Sequence, residues 1–474
     1  MKRSVVLIAG GVVIVLLVGA LVLVKHLPKK TAPTAAVITI SKVDTAKIDT
    51  ITLDHGGQTV TLKQAGKTFD VQYPYTVAWD PNSISQIASS FANLDADRLL
   101  SKNPTDLAQY GLSPVQATAT ANLSDGSNVV IEIGNKTPSG NDYYVMKKGD
   151  PALYTVPTYS ISPLLSSTDS LRDKNLPSID TQKLTYFEVT NAGKTIKIIP
   201  IPKGDSISNV SFASFQVVEP YKVPRPADAD KLSTLLKSFP SYLQVQKFIS
   251  DRPTDLAKYG LSPAKAHIVL KDDKSVLDIY LGNQLPDGTM YAKLADKPSV
   301  FTVNYSDFKA LLDANLFNLT DKFLLIPNIA DVASFTITAP GATYDAKIVT
   351  TTEKLSGTAG AADSSQAPTT KSTYYLNGKT IEESAFKNFY QTVIGLLADA
   401  PNPDPSIAFK PEISVTFHLT KGTPNTYSEY LVPYNRDFYA VFRNGVSDML
   451  LDRAQVAKML NSAAEVMAGK KPTP

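Results

Sequence analysis

The chain has 474 residues, an apolar content of 43% and a formal net charge of +3. Its length favours about three domains rather than one core. It contains no cysteine, which excludes disulfides, thiolate metal sites and a cysteine nucleophile. Five basic residues flank the first apolar run, and without them the net charge of +3 becomes −2. The remainder therefore has no basic excess, which disfavours nucleic acid as a partner.

An uninterrupted apolar run occupies residues 5–24, with Lys2 and Arg3 ahead of it. A helix of about 20 such residues is long enough to cross a bilayer. A cleaved signal peptide would have a shorter apolar core and a nearby small-residue cleavage site. The sequence thus predicts a cytoplasmic tip and transmembrane anchor in residues 1–26 and a spacer in residues 27–36.

The orientation of this anchor is not decided by charge, because lysines lie on both flanks of the run. The run begins close to the start of the chain and precedes a large body, as in a signal anchor. We therefore expect a single-pass protein of the cell membrane with the bulk of the chain outside the cytoplasm.

One ten-residue segment occurs twice. Residues 105–114 read TDLAQYGLSP and residues 254–263 read TDLAKYGLSP, 149 positions later. We expect Thr105 to cap a short helix and Gly111 to end it in the left-handed conformation. Pro114 prevents the helix from resuming. Most of this decamer therefore has a structural explanation, and the alternative is a loop that displays its tyrosine to a partner.

The decamer lies within a longer unit, residues 37–179. Two strands flank the turn at Gly56 and Gly57, and further hairpins follow the decamer. Between them, apolar residues recur at helical spacing, which predicts one amphipathic helix. The members of this stripe are Ile84, Ile87, Ala88 and Phe91.

Residues 180–328 show the same order and predict a second unit. The helical stripe returns 148 positions later as Leu232, Leu235, Leu236 and Phe239. Gly282-Asn283 matches Gly134-Asn135, and Tyr291 matches Tyr143. Agreement over so long a stretch indicates duplication.

Residues 329–474 predict a third, degenerate unit. It keeps the stripe at Phe386, Phe389, Tyr390 and Val393, but it has lost the decamer and the Gly-Asn pair. Residues 437–441 resemble residues 142–146, which aligns Tyr439 with Tyr144. Residues 351–373 predict a low-complexity insertion within a hairpin. The predicted fold class is α+β, with an N-terminal transmembrane helix followed by three tandem repeats of antiparallel β-hairpins with amphipathic helices.

The order of these motifs, from the YGLSP segment through Gly-Asn and Tyr-Tyr-Val to Leu-Arg-Asp-Lys, resembles the repeat of the bacterial family DUF4340. The resemblance covers the first two units well and the third weakly. It implies a membrane-anchored extracytoplasmic protein and, since members are often encoded beside ABC-type transporter components, an accessory role in such a complex. The family is one of unknown function, so it transfers no catalytic residue.

The sequence contains no phosphate-binding glycine loop, nucleophile elbow or metalloprotease helix. The four histidines are scattered singly, without the spacing of a metal site. Asp272 and Asp273 fall at a hairpin turn, and Asp228 precedes a helix that it is expected to cap. We therefore predict no enzyme activity, no cofactor and no metal.

The predicted function is that of a non-catalytic interaction or scaffold protein that is bound to the membrane through residues 5–24 and to a protein of a membrane complex. The candidate partner-binding residues are Tyr110, Tyr259, Tyr143 and Tyr291, because aromatic side chains dominate interface energetics. The alternative is a cell-envelope polysaccharide-binding protein that uses the strand tyrosines.

Overall fold

The computed structural model of the protein describes residues 37–353 and 369–473. These residues form 28 β-strands and seven α-helices, and all of the strand pairings among them are antiparallel. The fold is therefore α+β, as the sequence predicts. The predicted anchor and spacer lie outside the described residues. Within the described ranges, no helix combines the length and the hydropathy needed to cross a membrane.

The chain divides into two compact units, Met1–Asp173 and Lys174–Pro474. The first contains an eight-stranded sheet and a separate two-stranded sheet, β1 with β5. Its strands are β1 (Ile38–Ser41), β2 (Ile48–His55), β3 (Gln58–Ala65), β4 (Thr68–Val71), β5 (Leu94–Ala96), β6 (Arg98–Ser101), β7 (Ala117–Leu123), β8 (Asn128–Lys136), β9 (Asp142–Lys147) and β10 (Leu153–Pro157). Its α-helices are α1 (Pro81–Ala92) and α2 (Thr158–Ile161).

Helix α1 shows how the sequence pattern produces the core of this sheet. Asp80 caps it by accepting a hydrogen bond from the backbone of Asn82, and Pro81 begins its first turn. The four residues of the predicted stripe are the ones that it buries. They pack with the sheet in one apolar cluster, so the helical prediction is confirmed here.

The second compact unit contains two nine-stranded sheets. The strands of the second sheet are β11 (Tyr186–Asn191), β12 (Lys194–Pro200), β13 (Phe215–Glu219), β14 (Arg225–Pro226), β15 (Lys247–Ser250), β16 (Ala266–Lys271), β17 (Val276–Gln284), β18 (Thr289–Leu294) and β19 (Val300–Asn304). Its helices are α3 (Ala229–Lys237), α4 (Tyr305–Leu312) and α5 (Leu316–Leu319). Helix α3 ends at Lys237, so Phe239 of the predicted stripe is buried just beyond the helix.

The third sheet follows in the same unit. Its strands are β20 (Val332–Ala339), β21 (Ala342–Glu353), β22 (Thr369–Leu376), β23 (Lys379–Ile381), β24 (Ala400–Pro401), β25 (Ile413–Leu419), β26 (Thr426–Pro433), β27 (Phe438–Arg443) and β28 (Val446–Asp452). Its helices are α6 (Glu383–Ile394) and α7 (Arg453–Met467). Helix α6 buries all four residues of the predicted stripe.

The three large sheets share one strand order. The order is β4-β3-β2-β7-β8-β9-β10-β6 in the first, β14-β13-β12-β11-β16-β17-β18-β19-β15 in the second and β23-β22-β21-β20-β25-β26-β27-β28-β24 in the third. In each large sheet the first of its strands to follow the first large helix lies at one edge, as β6, β15 or β24. The first sheet differs only in lacking a counterpart of β14 and β23.

The predicted boundaries of the insertion, residues 351 and 373, are too wide at both ends. Thr351 pairs with Lys371, and Glu353 pairs with Thr369, so strands β21 and β22 continue into this stretch. Threonine is compatible with paired strands, which explains why composition alone misplaced the boundary. The remaining residues, 354–368, lie outside the described residues.

The second and third sheets share part of one core. Val210, in the loop before β13, is buried among the core residues of the third sheet together with Leu324 and Leu325. Its carbonyl oxygen accepts a hydrogen bond from the backbone N–H of Ile326 at 2.9 Å. A loop that lies between two strands of the second sheet thus contributes a residue to the hydrophobic core of the third sheet.

Candidate functional site

The decamer forms a short 3-10 turn in both places, Ala108–Tyr110 and Ala257–Tyr259. Asp106 Oδ1 accepts a hydrogen bond from the backbone N–H of Ala108 at 3.1 Å, and Asp255 makes the same bond at 2.8 Å. The aspartate therefore binds the first N–H of the turn, while the residue at the N-cap position is Leu107, and the predicted capping role of Thr105 is wrong. Gly111 ends the turn with a φ of 70°, in the left-handed conformation that the sequence predicts.

The decamer turn packs against the Gly-Asn pair of the same sheet. A Cβ atom on Gly134 would overlap the carbonyl oxygen of Tyr110, and one on Gly282 would overlap that of Tyr259. The pair also interrupts the pairing of β8 with β9, which goes from Ile133 directly to Lys136. Gly-Asn is thus a β-bulge. Because its glycine has no side chain, the decamer backbone can approach the sheet closely.

This docking brings two tyrosines together in each sheet. Tyr110 packs edge to face on Tyr144 with ring centroids 4.8 Å apart, and Tyr259 packs in the same way on Tyr291 at 4.9 Å. The residue that corresponds to Tyr291 is therefore Tyr144. The predicted match of Tyr291 with Tyr143 is wrong by one residue.

Tyr143 faces the other side of the first sheet. It packs against the helix-covered core, with the Nζ atom of Lys136 5.4 Å from its ring centroid. Adjacent residues of a strand point to opposite faces, which separates Tyr143 from Tyr144. Of the four predicted partner-binding residues, the structure brings together Tyr259 and Tyr291, places Tyr110 beside Tyr144, and sets Tyr143 apart.

The two tyrosine pairs differ in exposure. Tyr259 is only 8% exposed and belongs to a small apolar cluster with Leu261 and Val300, against which Ile249 of β15 packs. Tyr110 is half-buried. The expectation that both decamer tyrosines are exposed is therefore wrong for Tyr259, whose ring is part of a core.

A second site, which the sequence did not reveal, lies between the second and third sheets. Glu429 of β26 and Arg443 of β27 form a buried ion pair through Arg443 Nε, and Arg443 Nη2 donates to the carbonyl oxygen of Leu324. Arg225 of β14 approaches Asp448 of β28 at 3.5 Å. The Arg225–Asp448 contact thus joins the second sheet to the third, while the Glu429–Arg443 pair lies within the third sheet.

Burial dominates the electrostatics of this cluster. Burial raises the pKa of Glu429, against the opposing effect of Arg443 and Arg225. Burial also lowers the pKa of Arg225, and the nearby charge of Arg443 adds to the effect. In the described part of the chain, Arg225 Nε and Glu429 Oε2 are buried without a hydrogen-bond partner. Such atoms carry a desolvation cost that is not offset locally.

Next to this cluster is a cavity of about 810 Å³. Its wall includes Arg443, the buried Gln216 of β13 and the aromatic residues Phe409, Tyr427 and Tyr430. The hydroxyl of Tyr427 lies 2.8 Å from Asn209 Nδ2 and 3.0 Å from the carbonyl oxygen of Ser206. These bonds fix the second sheet's loop against the third sheet at the rim of the cavity.

The sequence offered one weak signal for this site. Glu429 and Arg443 stand in line with buried apolar residues of their strands: Leu431 lies two residues after Glu429, and Val441 lies two residues before Arg443. Charged residues are rarely fully buried unless they are paired. Their pairing could not be read from the chain, because it depends on the register between β26 and β27.

Together these features define an α+β protein of antiparallel sheets that carries a bulge-docked tyrosine turn in its first two sheets. The family model for the domain of unknown function DUF4340 matches residues 70–213 and 216–400. This is more than half of the chain, so the protein belongs to the DUF4340 family, as its motifs indicate. The boundary between the two matched segments falls just before β13, inside the second sheet. No curated protein and no solved structure matches the chain.

Proposed function

We propose that the protein is a non-catalytic interaction or scaffold protein of the cell membrane. Residues 5–24 anchor it, the described body lies outside the cytoplasm, and the partner belongs to a membrane complex such as an ABC-type transporter. The body consists of three tandem copies of one unit, the third of which is degenerate. The common strand order of the three large sheets supports this duplication.

The observation that carries the interaction role is the edge strand β6. Leu99 and Leu100 are 38% and 41% exposed. In the second sheet the register places Phe248 and Ile249 at these positions, and both pack against apolar clusters there. The first sheet thus exposes two apolar edge-strand side chains whose counterparts in the second sheet are packed against apolar clusters.

The backbone of β6 adds to this surface. Its only hydrogen-bonded neighbour among the described strands is β10, so its outer side can accept another strand. Strand addition to an exposed edge is a common mode of peptide recognition, in which main-chain hydrogen bonds give affinity and side-chain contacts give specificity. We propose that β6 binds an extended partner segment and that the half-buried Tyr110 contributes to the same surface.

Co-purification from native membranes tests the interaction. The double change Leu99→Asp and Leu100→Asp should remove the partner and leave the thermal melt nearly unchanged, because both side chains are partly exposed. Val276→Asp is the matched control, since Val276 is an apolar strand residue of the second sheet that is 49% exposed. Retention of the partner by the double variant would contradict the proposal.

Protease accessibility tests the orientation. Protease added outside intact, wall-stripped cells should degrade the body. Cleavage that occurs only after lysis would place the body in the cytoplasm.

Polysaccharide binding through the strand tyrosines receives less support. Tyr144 and Tyr291 each hold a decamer ring edge to face, and Tyr259 is buried. Rings that pack on each other in this way present little free face to a sugar. Binding of isolated envelope polymer that is lost in Tyr144→Ala would favour this alternative over the scaffold.

A further inference from the structure

The cavity between the second and third sheets has the size of a small-molecule site. Its volume of about 810 Å³ lies within the range of about 300–1,000 Å³ typical of such sites. Its walls come from both sheets, with Gln216 of the second and Tyr430 of the third among them. Because the loop at Val210 and the Tyr427 hydrogen bonds hold the two sheets together, the cavity is built into the fold.

Buried polar groups form part of the wall. Arg443 is only 9% exposed, and its Nε and Nη2 atoms donate to Glu429 and to the carbonyl oxygen of Leu324, so Nη1 is the remaining nitrogen of a guanidinium group that lines the cavity. Gln216 is 4% exposed, and its amide can both donate and accept. A purely apolar ligand such as a lipid chain would leave these groups dehydrated without partners, which is costly.

The charges of the wall are largely compensated. Arg443 is paired with Glu429, and Asp205, the other charged residue of the wall, accepts a hydrogen bond from the backbone N–H of Ile207 at 3.0 Å. Among the described residues of the wall, a multiply charged anion such as a phosphate would find no cation without an acidic partner. The wall therefore suits a ligand that is polar but uncharged.

Aromatic rings supply the remaining surface. Phe409 is 53% exposed and packs edge to face on Tyr430 and on Phe442, with ring centroids 5.4 Å and 5.3 Å away. An exposed aromatic ring beside hydroxyl and amide groups fits a ligand that has one apolar face and a polar rim. Among uncharged ligands, the pyranose rings of sugars have this combination.

We propose that this cavity binds a short, uncharged oligosaccharide, with Phe409 and Tyr430 against the ring faces and Gln216 and Arg443 as hydrogen-bond partners of its hydroxyls. The site is separate from β6 and does not depend on the proposed partner binding. It also differs from the site of the strand tyrosines Tyr144 and Tyr291, because the aromatic residues proposed to contact the sugar are Tyr430 of β26 and Phe409 of the segment between β24 and β25.

Calorimetry and saturation-transfer NMR on the full chain, in a detergent without a sugar headgroup, test the proposal. The probes are maltotriose, cellotriose and triacetylchitotriose, with inorganic phosphate as the anionic comparison. At least one trisaccharide should bind, and Phe409→Ala should weaken it by about tenfold or more, as expected for an aromatic anchor. Phe212→Ala is the matched control: Phe212 is 74% exposed but does not line this cavity.

Tyr430→Ala provides a second variant, and circular dichroism verifies that each variant is folded. The Leu99→Asp and Leu100→Asp variant should bind the sugar like the wild type, so failure at one site is distinguishable from failure at the other. Three outcomes would overturn the proposal. The first is that no trisaccharide binds at concentrations up to about 10 mM, which is weaker than typical specific binding. The second is that Phe409→Ala and Tyr430→Ala bind like the wild type, and the third is that phosphate binds and the sugars do not.

Discussion

Ala440 of β27 occupies the position in the third sheet that Tyr291 of β18 occupies in the second. Each directly precedes the residue that pairs with the matching leucine, Leu281 or Leu431. The third sheet also lacks the bulge, since Val432 pairs regularly with Ala440. The decamer, the Gly-Asn bulge and the tyrosine on which the decamer ring packs thus occur together in the first two sheets. All three are missing from the third sheet, which indicates that they form one structural motif.

The bulge glycine should be intolerant of any side chain. Gly134→Ala would force the decamer away from the sheet and should cost the first unit about 1–3 kcal/mol of unfolding free energy, as overpacking does. The only tryptophan, Trp79, lies in the first unit, so its fluorescence during urea unfolding reports on that unit. Asn128→Ala, at an exposed position of the same strand, should have little effect. Equal stability of the two variants would mean that the close approach of the Tyr110 carbonyl to Gly134 does not contribute to the stability of the first unit.

The two decamer tyrosines should respond differently to truncation. Tyr259→Ala should cost roughly 3 kcal/mol or more, as for other buried aromatics, because Tyr259 is 8% exposed. The same change at the half-buried Tyr110 should cost clearly less. A double-mutant cycle between Tyr259 and Tyr291 should give a coupling of about 0.5–1.5 kcal/mol. Denaturation followed by circular dichroism measures both, and additive effects would show that the ring pair contributes nothing of its own.

The parts of the fold that depend on local pattern could be predicted from the sequence. The stripe from Ile84 to Phe91 gave helix α1, and the first hairpin pairs Ile51 with Leu62. The tyrosine register was missed because the loop between β8 and β9, residues 137–141, is one residue longer than the loop between β17 and β18, residues 285–288. A one-residue slip moves a side chain to the opposite face.

The buried cluster was beyond sequence reasoning for a different reason. Glu429 and Arg443 are 14 residues apart and meet only across a strand pair, while Arg225 reaches Asp448 from 223 residues away. The first pairing is set by the register of two strands in one sheet, and the second by how two sheets pack. No periodicity within either strand encodes them.

Removing one partner of the Glu429–Arg443 ion pair should lower the free energy of unfolding strongly, whereas replacing both partners should lower it little. Arg443→Met leaves a buried carboxylate unpaired and should cost about 3–5 kcal/mol. Combining it with Glu429→Met should restore most of the loss, since apolar pairs of similar volume often replace buried ion pairs without penalty. Chemical denaturation of the two variants measures this. A double variant as unstable as the single one would show that the hydrogen bond to Leu324 matters more than the charge.

The cap of helix α6 should make stability depend on pH. Hydrogen bonds from the hydroxyl and backbone of Ser384 and from the backbone of Ala385 lower the pKa of Glu382 from 4.5 to about 2. A carboxylate whose pKa is lower in the folded state stabilises the fold above the unfolded value and loses that effect as the pH falls through the folded value.

Glu382→Gln should therefore destabilise the protein near neutral pH. The difference from the wild type should shrink between pH 4.5 and about 2. Denaturation midpoints across this window measure it. A difference that stays constant with pH would assign the effect to the shape of the cap rather than to its charge.

The position of Val210 has a practical consequence for truncation. A fragment that begins at β20 would lack Val210, Leu324 and Leu325 from the interior of the third sheet, and Arg443 would lose the Leu324 carbonyl. Such a fragment should be recovered aggregated, because it would expose the apolar surface that these residues cover. A fragment that begins at Lys174 retains every one of these contacts. The fragment from Lys174 is about twice as long as the spacing of 149 positions between the two decamers, so one repeat length alone does not make a complete folding unit here.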